Sequence, residues 1–183
     1  MANEPYPFIK NAWYVAALER EVPEGEKLAR VFLEHPVVIF RGESGKFVAL
    51  DDRCCHRGAP LSLGRIEGDC LRCMYHGMKY DASGRCIEIP GQDLISDVHR
   101  VHSYPMEERG GLLWIWMGDP ALADPEQIHD FPYLSDPSWR GMPEKAYLHY
   151  DANALLIVDN LADFSHLAFV HPNTLGGSEE YAV

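Results

Sequence analysis

The stretch Cys54-Cys55-His56-Arg57-Gly58-Ala59-Pro60-Leu61-Ser62 is followed, with sixteen residues between His56 and Cys73, by Cys73-Met74-Tyr75-His76-Gly77. In short form this is C-x-H and then C-x-x-H, so each segment offers one thiolate and one imidazole. That donor set suits an iron–sulfur centre with one iron held by two cysteines and the other by two histidines. Neutral imidazoles remove negative charge and raise the potential above that of an all-cysteine cluster. The same four side chains also have the donor types of a tetrahedral structural zinc site, and spacing alone leaves both readings open. Cys70 forms a second C-x-x-C with Cys73 but falls in a strand-like run, and with Cys86 it reads as a core or near-surface thiol.

Four of the five cysteines lie within these twenty residues. A secreted disulfide framework spreads and pairs its cysteines, so the cluster points to metal chemistry in a reducing compartment. The beginning MANEPYPFIK lacks the order of a signal peptide, and there is no run of about 18 apolar residues, so a soluble cytoplasmic protein is expected. A length of 183 residues, 46% apolar and 24% charged, suits one domain plus the start of a second. The net charge of −12 argues against nucleic acid or an anionic membrane as partner. Against that background Arg53, Arg57, Arg65, Arg72 and Lys79 outnumber Glu67 and Asp69. This local basic patch reads either as a dock for an acidic electron donor or as an ordinary solvated face.

Short alternating runs predict antiparallel strands: residues 27–34, 36–42 and 46–51 with a turn at Glu43-Ser44-Gly45, then 85–90, 100–105 and 111–119. Glycine and proline separate them, as in a small sandwich or barrel. From Asp119 to Asp136 five acids and three prolines occur without Lys or Arg, which predicts a solvated linker with one short helix from Pro125. A strand over residues 146–153 and one helix over residues 155–170, stopped by Pro172, are expected beyond it.

His166 and His171 are five residues apart, a rotation of roughly 140° on a regular helix, so they converge only if the helix breaks. Pro172 disfavours helical dihedrals at His171 and supplies that break. Two histidines and one carboxylate form the facial triad of non-haem Fe(II) sites. Asp163, three residues before His166, shares its helical face in this reading. There it either orients an imidazole or is a plain surface acid.

These segments, with Asn11-Ala12-Trp13-Tyr14-Val15-Ala16, CHRGAPLSLG (55–64), YHGMKYDASGRC (75–86) and GLLWIWMGDPALADP (111–125), resemble the Rieske non-haem iron oxygenases, large-subunit type. Within them the likeness is to the group of vanillate O-demethylase, dicamba monooxygenase and toluenesulfonate methyl-monooxygenase. The resemblance implies a mainly β fold: a Rieske [2Fe-2S] antiparallel β domain over residues 1–118, an acidic linker over 119–145, and the truncated start of an α+β catalytic domain over 146–183. It implies Cys54, His56, Cys73 and His76 as cluster ligands, and His166 and His171 as ligands of a mononuclear Fe(II) whose third ligand, an acid, lies further downstream. Asp163 would bridge, across a subunit boundary, from His56 or His76 of one protomer to an iron histidine of the next. Asn160 would lie near the iron without being a firm ligand. A reductase or ferredoxin donor, O2, an aromatic small-molecule substrate and a head-to-tail homotrimer are implied with it, the reaction being hydroxylation or O-demethylation driven by NADH. The alternative is a fragment that only transfers electrons. Cys55 stands where the family usually has proline, leaving a spare thiol beside the cluster.

Overall fold

The computed structural model describes residues 8–134, 136–139 and 148–174. The chain divides into two compact units, Met1–Gly141 and Met142–Val183. Strands of the first are β1 (Ala12–Leu18), β2 (Lys27–Phe32), β3 (His35–Arg41), β4 (Phe47–Asp51), β5 (Arg65–Glu67), β6 (Cys70–Arg72), β7 (Lys79–Tyr80), β8 (Cys86–Glu88), β9 (Ser103–Tyr104), β10 (Met106–Arg109) and β11 (Leu112–Met117). They form three antiparallel sheets, ordered β1-β11-β10, β2-β3-β4-β9 and β5-β6-β7-β8. The mainly β expectation holds.

The central strands β3 and β4 of the middle sheet are buried on both faces, and their period of two shows why. On β3, Val37 and Ile39 point into a core shared with Ala17, Leu113 and Ile115 of β1 and β11. Val38 and Phe40 point the other way, into a core shared with Leu61, Leu71, Cys73, Met78 and Tyr80. Ala49 and its neighbours Val48 and Leu50 divide in the same manner on β4. A continuous apolar run of β-branched and aromatic residues thus joins a supporting sheet on one side to the small β5–β8 sheet on the other.

The stretch after β11 differs from the expected solvated linker with one helix. Three 3-10 turns occur, Pro120–Leu122, Pro125–Gln127 and Pro132–Leu134. Asp119 and Asp124 cap the first two, accepting from the N–H groups of Ala121 and Glu126 at 3.0 Å each, with proline fixing the first turn position. Ile128 is buried against Leu18, Leu112 and Trp114, with Phe131 and Leu134 packed alongside. Ile128, Phe131 and Leu134, spaced among the acids, explain the difference, since they pack against the first unit's core.

The second unit contains α1 (Ala154–Ala162) and α2 (Leu167–Val170). Asn153 caps α1, its Oδ1 accepting from Leu155 N–H at 2.9 Å. The single helix expected through residue 170 is therefore two. Asp163 is the reason: extended (φ −102°, ψ 98°), it accepts the Ser165 N–H at 2.9 Å and so offers the backbone a turn in place of the helix. The expectation that Asp163 and His166 share a helical face is thereby overturned. The expected strand over 146–153 is not seen at Leu148–Tyr150, which are exposed and unpaired as a ladder, while residues 146–147 lie outside the described residues. Among the described residues no helix is long and apolar enough to cross a membrane.

Candidate metal centre

The two cysteine–histidine segments fold into matched loops. In the first, Cys54 N–H donates to the Ala59 carbonyl and Gly58 N–H to the Cys54 carbonyl, both at 2.9 Å. In the second, Cys73 N–H donates to the Met78 carbonyl at 2.8 Å and Gly77 N–H to the Cys73 carbonyl at 3.2 Å. The offsets are the same, five residues and four. Each loop closes on a glycine with positive φ, 66° at Gly58 and 74° at Gly77, a conformation that disfavours any residue with a Cβ. Cysteine opens both loops, while histidine stands third in one and fourth in the other.

Each loop is braced from outside. Buried Asp52 accepts the Ser62 N–H at 2.6 Å and the Ser62 hydroxyl at 2.7 Å, tying together the two ends of the first loop. For the second, Arg72 donates from Nη1 to the Gly77 carbonyl at 2.7 Å. Its remaining donors reach both carboxylate oxygens of Glu67 (2.7 and 2.9 Å) and of Glu88 (2.8 Å each). All five guanidinium donors are used, and Lys79 adds a contact to Glu67 at 3.2 Å. Arg72 hydrogen bonding holds the Glu67 carboxyl down to about 2, and Glu88 is lowered by the same partner. The sequence patch of exposed cations is corrected accordingly: Arg72 is a buried tie, and only Arg53, Arg57 and Arg65 of the five lie open to solvent.

The loops present their donors as two pairs. Cys54 and Cys73 are both buried, and burial pushes the Cys73 thiol up, with the adjoining Cys54 acting in the same direction. His56 and His76 are exposed, their Nδ1 atoms 3.2 Å apart and their rings edge-to-face at 4.6 Å. At that separation both imidazoles would be able to hold one metal ion together. Among the described residues no group of three or more His, Cys, Asp and Glu is arranged to hold a single ion. A sulfur pair and a nitrogen pair suit the two irons of a [2Fe-2S] cluster. Behind the sulfur pair, buried Tyr80 places its hydroxyl 3.1 Å from Cys54 Sγ, and burial raises its pKa, keeping the phenol protonated. Tyr75 N–H lies 3.5 Å from Cys73 Sγ.

In the second unit His166 immediately precedes α2 and His171 follows its last residue, with the two rings 5.7 Å apart at 67°. The helix does end at Val170, as the reading from Pro172 requires. Asp163 is exposed, and its carboxyl is lowered chiefly by hydrogen bonding to Ser165. Asn160 lies on exposed α1. Cys86 is buried and Cys70 half-buried, in keeping with thiols of the core rather than a second motif. Sequence reading missed Asp52 and Tyr80 and took Arg72 for a surface cation. The signal for Arg72 was a lone charge in the apolar run Leu71-Arg72-Cys73, and for Tyr80 an aromatic at the sheet position following the second loop.

An antiparallel β domain carrying paired Cys/His loops defines a class of one-electron iron–sulfur carriers. Residues 12–105 match the Rieske [2Fe-2S] domain, and the chain belongs to that family. Residues 150–182 match the Vanillate O-demethylase oxygenase C-terminal domain. The chain is 54% identical over 169 residues to the iron-sulfur subunit of the toluene-4-sulfonate monooxygenase system of Comamonas testosteroni, covering 92% of this chain and 48% of the relative. The crystal structure of dicamba monooxygenase bound to dicamba superposes with a TM-score of 0.85 at 43% identity, covering 90% of this chain and 49% of that one. The same enzyme with non-heme iron and dicamba gives a TM-score of 0.78 at 42% identity, covering 86% and 47%. The chain thus spans about half the length of the relatives it matches.

Proposed function

We propose that this chain forms the cluster-bearing part, and the first iron-binding segment, of a terminal oxygenase acting on an aromatic small molecule. The supporting observation is the pairing within the matched loops, two buried thiols on one side and two imidazole Nδ1 atoms 3.2 Å apart on the other. Cys54 and Cys73 would hold one iron of a [2Fe-2S] cluster, His56 and His76 the other, and His166 with His171 would supply two ligands of a mononuclear Fe(II). When bound, the cluster supplies single electrons and the mononuclear iron supplies O2 reduction against a substrate C–H bond.

The protein's own contributions follow from position. Buried Cys54 and Cys73 keep water from the sulfur side, while exposed His56 and His76 leave the nitrogen side open to a partner. Electrons enter from a separate reductase or ferredoxin. In a head-to-tail homotrimer, each cluster would serve a neighbouring protomer's iron, with Asp163 linking a cluster histidine to an iron histidine. Asp163 reaches that role from a turn, exposed, rather than from a helix face. A cytoplasmic location is supported by the clustering of four of the five cysteines within twenty residues, unlike a secreted disulfide framework.

For an aryl methyl ether, one O2 with two electrons and two protons hydroxylates the methyl and yields water; the hemiacetal then releases the phenol and formaldehyde. The test is His166→Ala in an oxygenase of the relatives' full length carrying these residues. Formaldehyde release stops while the cluster's visible spectrum is unchanged; loss of the cluster band would contradict two separate sites.

A further inference from the structure

The Tyr80 hydroxyl touches a second sulfur besides Cys54: the Sγ of exposed Cys55 lies 3.2 Å from it, and the Met78 Sδ lies 3.7 Å away. A phenol has one proton to donate and lone pairs to accept with, so three sulfurs compete for one donor. With the cluster assembled, which rests on the assignment of Cys54 as a ligand, Cys54 sulfur has no proton and carries negative charge. It can only accept, and a charge-assisted bond is roughly twice as strong as a neutral one. Met78 is the most distant of the three, and Cys55, which is no ligand in this assignment, has an S–H group to offer. The phenol therefore donates to Cys54, and its oxygen is left to accept from Cys55.

We infer that Cys55 is a positioning residue for the cluster's potential, its S–H donating to the Tyr80 oxygen so that the Tyr80 O–H donates more strongly to Cys54 Sγ. The chain Cys55 Sγ–H···Oη–H···Sγ Cys54 runs from the exposed surface to the buried ligand. Bonds in series polarise one another, by about 10–30% per bond. A hydrogen bond to a cluster sulfur favours the more negative, reduced state and raises the potential. Removing the outer link weakens the inner one and lowers the potential.

The test is redox titration of the reconstituted chain for wild type, Cys55→Ala, Cys55→Ser, Tyr80→Phe and the double variant. Cys55→Ala lowers the potential by about a tenth to a third of the Tyr80→Phe shift. Cys55→Ser, which keeps a donor, stays near wild type, and Cys55→Ala has no effect in the Tyr80→Phe background. A raised potential in Cys55→Ala would mean that Tyr80 donates to Cys55, and an unchanged one that no chain exists; either overturns the inference. Should Cys55→Ala not take up a cluster, Cys55→Val is compared with Cys55→Ser instead: a lower potential in the valine variant supports the chain of bonds, and a raised or equal one overturns it. A wild-type chain that assembles no cluster would instead refute the ligand assignment.

Discussion

His56 and His76, twenty residues apart in the chain, face each other through their Nδ1 atoms at 3.2 Å. Imidazoles can hold that contact with one ring donating and the other accepting, and a bound metal would take the place of the shared proton. Neither ring is locked by burial. The approach is set by the loops beneath, by their glycine closures and by the braces from Asp52 and Arg72.

Those closures make a graded prediction. Gly58 and Gly77 share a positive φ, so alanine at either costs about 1–2 kcal/mol from backbone strain. A Cβ at Gly77 would also sit 2.9 Å from Pro90 Cγ, whereas one at Gly58 meets nothing within 4 Å. Gly77→Ala is expected to unfold at lower urea than Gly58→Ala and to retain less iron after gel filtration. Equal effects would mean that the contact with Pro90 is relieved at no cost.

Acid stability reports on the Arg72 tie. The Glu67 pKa is lowered to about 2 from 4.5, principally by Arg72, so the folded state binds the proton less readily than the unfolded chain. The stability this contributes is present above about pH 4.5 and is lost as pH falls towards 2. Glu67→Gln should flatten the urea midpoint against pH across that window. A slope matching wild type would remove Glu67 from the account.

Much of this arrangement is legible in the sequence because it repeats locally. Alternation marks β2, β3 and β4, and the two motifs mark both loops, since ligand spacing is itself a local property. What escaped notice acts across the chain: Arg72 is informative only once Glu67, Gly77 and Glu88 are brought together around it, and Tyr80 only once the first loop folds over β7. Asp163 was misplaced for the opposite reason. The apolar spacing of residues 155–170 satisfies a helix throughout, and a single side chain accepting the Ser165 N–H outcompetes it.

Thiols shielded from water make the cluster-free chain sensitive to alkali. Burial raises the pKa of Cys70, Cys73 and Cys86. Above about pH 8.5 the unfolded chain loses thiol protons that the folded, cluster-free chain keeps, so unfolding gains and stability falls as pH rises. Urea midpoints of the cluster-free chain at pH 7, 8.5 and 9.5 should decline, and less steeply in Cys86→Ser. A midpoint rising with pH would reverse the sign.

Turn and charge can be separated at Asp163. Asparagine keeps an oxygen for the Ser165 N–H, while alanine does not. In a full-length oxygenase carrying these residues, Asp163→Asn should slow turnover on the order of tenfold or more and leave both metals bound. Asp163→Ala should in addition weaken iron retention at His166 and His171. Undiminished turnover in Asp163→Asn would restrict the residue to its turn.

The division of ligands, sulfur on one iron and nitrogen on the other, is most directly tested by pulsed EPR of the reduced, anaerobically reconstituted chain with 15N-histidine. Two strongly coupled imidazole nitrogens are expected, with one lost in His56→Ala and one in His76→Ala, and both retained in Cys70→Ser. A reduced centre without histidine nitrogen coupling, or one that Cys70→Ser abolishes, would contradict the assignment.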